Sequence, residues 1–161
     1  MEELVRMQDN LLLIRRTVGW TADEFGERIG VTRQTINNIE NRRNRLTKTV
    51  YIAMRSVLDA EMAQSSDDTT MLKLILDALV DHPEKYSEAE KEEILTKANM
   101  MAPAILAGTA SRDAVSKEMI RSIGSGIGLG MLSTIPIVGA FTGYAVSTWL
   151  QKAIEAKGEK K

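Results

Sequence analysis

Gln34 and Asn38 stand four residues apart, with Arg33 and Thr35 beside the first of them. Four residues is about one helical turn, so on a helix the two amides share a face. An amide both donates and accepts, and a guanidinium presents a rigid fork of donors. Each can bond two atoms on one base edge in a major groove. A solvated helix face more often carries Lys and Glu. Just downstream come Arg42, Arg43, Arg45 and Lys48, whose cationic heads suit phosphates. The chemistry on offer is recognition of a duplex: Arg33, Gln34, Thr35 and Asn38 reading bases, and Arg42, Arg43, Arg45 and Lys48 holding the backbone. The plain alternative for Asn41–Arg45 is a hydrophilic loop.

Two short helices must position these groups. Thr21 followed by Glu24 is a capping box, which starts the first. Thr21, at that cap, joins the phosphate-facing set. Phe25 and Ile29 point one way, and Gly26 between them permits a close approach. Gly30 stops the helix, Val31 fills the turn, and Thr32 caps the second helix, which runs to Asn41. Ile36 and Ile39 point inward, so Gln34, Asn38 and Asn41 point out.

These residues carry a resemblance. Arg15, Gly19-Trp20-Thr21, Glu24-Phe25-Gly26, Gly30-Val31-Thr32 and Ile36-Asn37-Asn38-Ile39-Glu40-Asn41 resemble the Cro/lambda-repressor-like helix-turn-helix family, the xenobiotic-response-element type, over about residues 8–60. The resemblance implies double-stranded DNA as partner and a role as transcriptional regulator. It also implies a salt bridge between Arg15 and Glu40. Two positions depart from the family. Ala22 stands where many relatives carry a DNA-contacting Gln, and Gly26 replaces a central Ala, which should loosen its helix slightly.

Charge agrees locally. The chain has 21 basic and 22 acidic residues, a net charge of −1. From 33 to 55, however, Arg33, Arg42, Arg43, Arg45, Lys48 and Arg55 face Glu40 alone. From 61 to 95 the sign reverses, acidic residues far outnumbering Lys73, Lys85 and Lys91. Such polarity turns one end of a molecule toward DNA. There are no cysteines, which excludes disulfides and thiol chemistry and fits a reducing cytoplasm. The N-terminus lacks the basic and apolar regions of a secretory signal.

The chain reads as all-α. A first helix is expected over residues 3–18, with Leu4, Leu11, Leu12, Ile14 and Val18 apolar, and another from Thr47, with Val50, Met54, Val57, Leu58 and Glu61 on one stripe and Tyr51 beside it. Residues 1–63 then form the DNA-binding unit, 64–70 a polar linker, and 71–161 a helical oligomerisation or effector domain. Within the latter, helices are expected over 71–81, ending at His82-Pro83, from the Ser87/Glu90 capping box to about Met101, with Pro103 kinking or restarting it, and over 110–122.

Residues 123–150 carry no charge, and Gly124/Gly128, Gly126/Gly130 and Gly139/Gly143 are each four apart. Such glycines let helices pack backbone to backbone, as membrane helices do. Two readings stay open. One is a helical hairpin over 119–154, buried in the fold or against a second subunit; the other is membrane contact through 123–150. Against a span, Pro136 divides the stretch into arms shorter than the roughly 20 residues that spanning takes.

Catalysis has little support. His82 is the only histidine and sits at a helix end, so the usual zinc sites are excluded. The carboxylates of 88–93 read as a solvated face, and Asp67-Asp68 lacks the EF-hand pattern. Gly124–Gly130 follows no strand and has no Gly-Lys-Ser/Thr, so it is no phosphate loop. The expectation is a cytoplasmic, dimeric DNA-binding repressor without cofactors, paired through 71–154. The alternative is a membrane-associated or antitoxin-like protein whose C-terminal part meets a membrane or a protein partner.

Overall fold

The computed structural model describes residues 2–123. The Gly-rich run, the greater part of the expected hairpin and the membrane reading of 123–150 lie outside the described residues. Within them, eight α-helices follow one another without a strand: α1 (Glu2–Asp9), α2 (Leu11–Val18), α3 (Ala22–Ile29), α4 (Arg33–Glu40), α5 (Lys48–Gln64), α6 (Thr70–Leu76), α7 (Glu88–Leu106) and α8 (Arg112–Ser122). The described residues are all-α, as their periodicity dictates.

Local caps set most of these boundaries. Thr21 accepts from the Glu24 amide while Glu24 accepts from the Thr21 amide at 2.7 Å. Ser87 and Glu90 repeat the arrangement at the head of α7. Thr32, Thr47 and Ser111 cap α4, α5 and α8 with their hydroxyls. Each such cap satisfies an amide that has no partner within its own helix.

The single first helix expected over 3–18 is two. Asn10, at φ −107° and ψ 7°, leaves helical geometry, and its side-chain amide joins its backbone amide on the Arg6 carbonyl, at 2.8 and 3.2 Å. Asn competes for backbone groups in this way. The apolar side shifts with the break: Met7, Leu11, Leu13, Ile14 and Val18 are buried, whereas Leu12 is exposed. Pro103 neither ends nor restarts α7, which runs through it to Leu106.

α6 forms the centre. Every residue from Met71 to Val80 is buried, and the helix widens into a π-helical turn over Asp77–Asp81 before His82 closes it. A helix buried all round must be covered on all sides. α2, α7 and α8 pack against α6, and α1 packs against the π turn. The most extensive helix pair of all is α2 with α7. Residues 65–69, within the run 64–70 expected as a linker, form a turn in which Thr69 is buried and bonds the Ser65 carbonyl. The helices on both sides of that turn share one hydrophobic core.

Three guanidiniums clamp this core. Arg55 is buried and bonds both oxygens of Asp81 at 2.6 and 2.9 Å, with Asp59 at 3.9 Å. Burial alone would lower its pKa, but Asp81 and Asp59 outweigh it, and the pKa is raised. Arg112 reaches Glu61 at 2.8 Å and Asp68 at 3.1 Å, tying α8 to the end of α5 and the turn. Arg6 donates from Nε to the Val80 carbonyl at 2.8 Å. Two buried phenols are shifted. Burial, aided by Asp81, Glu3 and Asp59 against Arg55, pushes Tyr51 up to about 12. Burial and a 2.6 Å bond to Asp77 push Tyr86 up as well.

Candidate nucleic-acid interface

Arg15 is where the site is built. Its Nε and Nη2 donate to the two oxygens of Glu40 at 2.6 and 3.1 Å, and Nη1 donates to the Trp20 carbonyl at 3.0 Å. One side chain thereby fixes α2, the entry to α3 and the end of α4. Both partners are almost wholly covered. Such a pair stabilises little in itself, because desolvation offsets the attraction, but it fixes geometry and is costly to break.

α3 and α4 pack tightly across their turn. Gly30, at φ +77°, takes the left-handed conformation that ends α3. Gly26 faces the turn so closely that a Cβ there would lie 2.6 Å from the Val31 carbonyl oxygen. The family's usual Ala therefore does not fit this chain; the glycine is a packing requirement here rather than a source of looseness. Ala22, where the resemblance leads one to expect a DNA-contacting Gln, is buried. Phe25, Ile36 and Ile39 fill the space beneath α4. Trp20 stacks obliquely on Phe25, with the Arg28 guanidinium 4.2 Å above its ring.

The outward face of α4 carries the residues singled out by spacing. Gln34 Nε2 donates to Asn38 Oδ1 at 3.0 Å, so the two amides are aligned on one turn. Gln34 and Arg33 are exposed and Asn38 and Thr35 half-exposed. The Thr35 hydroxyl lies 3.0 Å from that of Thr32. Arg33 sits 3.8 Å from Asp23, an exposed pair that binds its head only weakly. The uncommitted hydrogen-bonding atoms of the amide pair and the Arg33 fork present mixed donors and acceptors, which is what reading base edges requires.

The segment after α4 turns sharply. Arg42 has φ +58°, the left-handed region that residues with a Cβ seldom occupy. The Arg43 and Asn44 amides both return to the Asn38 carbonyl, at 2.8 and 3.1 Å. Arg42, Arg43 and Arg45 are exposed, Lys48 is half-exposed in the first turn of α5, and Thr21 is exposed at the head of α3. Arg55, counted with this basic run in the sequence, does not belong to it, because Asp81 and Asp59 surround it inside the fold.

Sequence reasoning expected a helix at α1 but gave Gln8 and Asp9 no role. Gln8 bonds the Ile39 and Asn44 carbonyls through Nε2 at 2.9 and 2.8 Å and accepts from the Leu46 amide through Oε1 at 3.0 Å. Asp9 meets Arg42 at 2.7 Å. Nothing in the local pattern of residues 2–10 signals either contact, since the partners lie some thirty residues on.

The arrangement is a helix with exposed amides, packed across a glycine turn on a second helix and followed by a basic loop. Residues 11–64 match the helix-turn-helix family. The match supports the role of this helix-turn-helix unit in DNA binding and transcriptional regulation, and the family is not one of enzymes. No curated protein and no solved structure matches the chain. No group of His, Cys, Asp and Glu among the described residues could hold a metal ion. No helix among them is long and apolar enough to cross a membrane.

Proposed function

We propose that this chain is a sequence-specific transcriptional repressor acting on DNA in the cytoplasm as a homodimer. The observation that carries the reading is the aligned Gln34–Asn38 pair on the exposed face of α4, beside the Arg42–Arg45 bend and within the segment matched to the family. In this reading α4 enters the major groove. Arg33, Gln34, Thr35 and Asn38 meet base edges; Thr21, Arg42, Arg43, Arg45 and Lys48 meet phosphates; Arg15 and Glu40 keep the helices in register.

Pairing through residues 71–154 would place two such helices on half-sites roughly 34 Å apart, one turn of duplex. The test is enrichment of bound duplexes from a random-sequence pool, followed by footprinting and light scattering of the complex. The reading expects a two-fold symmetric footprint and two chains per site. A footprint without symmetry, or one chain per site, overturns the dimer; absence of any salt-sensitive affinity for duplex DNA overturns the whole.

A further inference from the structure

We infer that Gln8 is a positioning residue for phosphate contact, acting through the 41–46 loop; this rests on the DNA-binding reading. The family match begins at residue 11, so α1 and Gln8 lie outside it. One side-chain amide makes three backbone bonds across the loop: two donated, to Ile39 in the last turn of α4 and to Asn44, and one accepted, from Leu46. Few side chains can do this. Glu lacks the donors, Lys lacks the acceptor, and Asn is a methylene too short to span the same groups.

The loop depends on such support. Arg42 is left-handed, and two successive amides crowd onto the single Asn38 carbonyl. A backbone of that kind persists only where its surroundings over-determine it. Leu46 is buried and pins the far end to the core. Gln8 binds the bend at Ile39, Asn44 and Leu46, on either side of Arg42 and Arg43. Asp9, the next residue, pairs with the Arg42 head. The end of α1 therefore sets both the shape of the loop and the direction of its first guanidinium. It does so without itself carrying positive charge to a phosphate.

The experiment uses the full chain and a duplex enriched by the wild-type protein. Gln8→Met keeps size and removes all three bonds; Gln8→Glu keeps the acceptor and loses both donors. Each is measured for affinity against salt concentration, for exchange of the Leu46 amide, and in a cycle with Arg43→Ala. We expect Leu46 exchange to quicken about tenfold or more in Gln8→Met. In both variants affinity should fall about tenfold and the slope of log affinity on log salt should shrink by about 1–2, since each lost phosphate contact is worth roughly 0.9. Arg43→Ala should cost less in either variant than in wild type, because the loop has already lost its aim. A purely structural Gln8 would lower the folded fraction and leave slope and coupling alone. An unchanged slope with additive costs overturns the inference, in whichever of the two variants folds. If wild type enriches no duplex, the DNA-binding reading falls and this inference with it; if wild type binds with a steep slope that the variants keep, this inference falls alone.

Discussion

Arg43 and Arg55 are twelve positions apart and read alike in the sequence, yet the fold gives them opposite work. Arg43 stands in the loop after α4 with its head exposed. Arg55 is sealed between α5 and the π turn, with Asp81 and Asp59 around it. The first is available to an outside anion, and the second has already found its anions inside. What separates them is which carboxylates the topology brings near, and Asp81 arrives from another helix. Local charge counts therefore overstate a binding face whenever a clamp is counted with it.

The interior should be the more fragile of the two regions. Arg55→Ala removes the guanidinium bonded to both oxygens of Asp81 and should cost about 3–5 kcal/mol in urea unfolding. Because α6 and α7 share the core with α2, that loss should appear as one transition; two separated transitions would break the picture of a common core. Alkali should act on the same region. The Tyr51 phenol is held up to about 12 against an ordinary 10, so the folded state keeps a proton that the unfolded chain releases. Its stabilisation is full below pH 10 and fades as pH rises toward 12, on the order of 2–3 kcal/mol in all. Tyr51→Phe should flatten that part of the pH profile.

Gly26→Ala tests the packing of α3 on the turn into α4. Its Cβ meets backbone rather than a yielding side chain, and a cost of about 1–3 kcal/mol is expected, with DNA affinity falling only as the folded fraction falls. On the exposed face the pattern inverts. Gln34→Ala should leave stability within about 0.5 kcal/mol yet cost about 1–3 kcal/mol of discrimination at one base pair, read from enriched sequences. Smallest in free energy is Arg43→Ala, which should weaken all duplexes alike and lower the salt slope by about 0.9. Equal discrimination with and without the Gln34 amide would remove base reading from α4.

Much of this is legible in the amino-acid sequence, and for a common reason. The capping boxes at Thr21 and Ser87, the turn at Gly30 and the helical class all depend on partners within a few residues. What the sequence hid involves distant partners. Of the stripe expected on α5, Met54 and Leu58 are buried, as is Tyr51 beside it, but Val50, Val57 and Glu61 are only partly covered; Met62, Arg55 and Asp59 complete the buried face, and a hydrophobic stripe assigns the two charged ones to solvent. The polar run 64–70 reads as a linker because its composition is that of a loop; Arg112, more than forty residues later, closes on it. Gln8 is invisible for the same reason.

α7 lies along α2, and Ile105 presses against the backbone at Gly19, where a Cβ would come within 3.1 Å. The reading head is consequently welded to the body rather than hung from it. A swinging head could straddle targets of several lengths. Among the described residues α2 is packed against α6 and α7, so two copies joined through those helices would accept a single separation between half-sites. Inserting one base pair would rotate a half-site by roughly a tenth of a turn, out of the reach of a rigid pair.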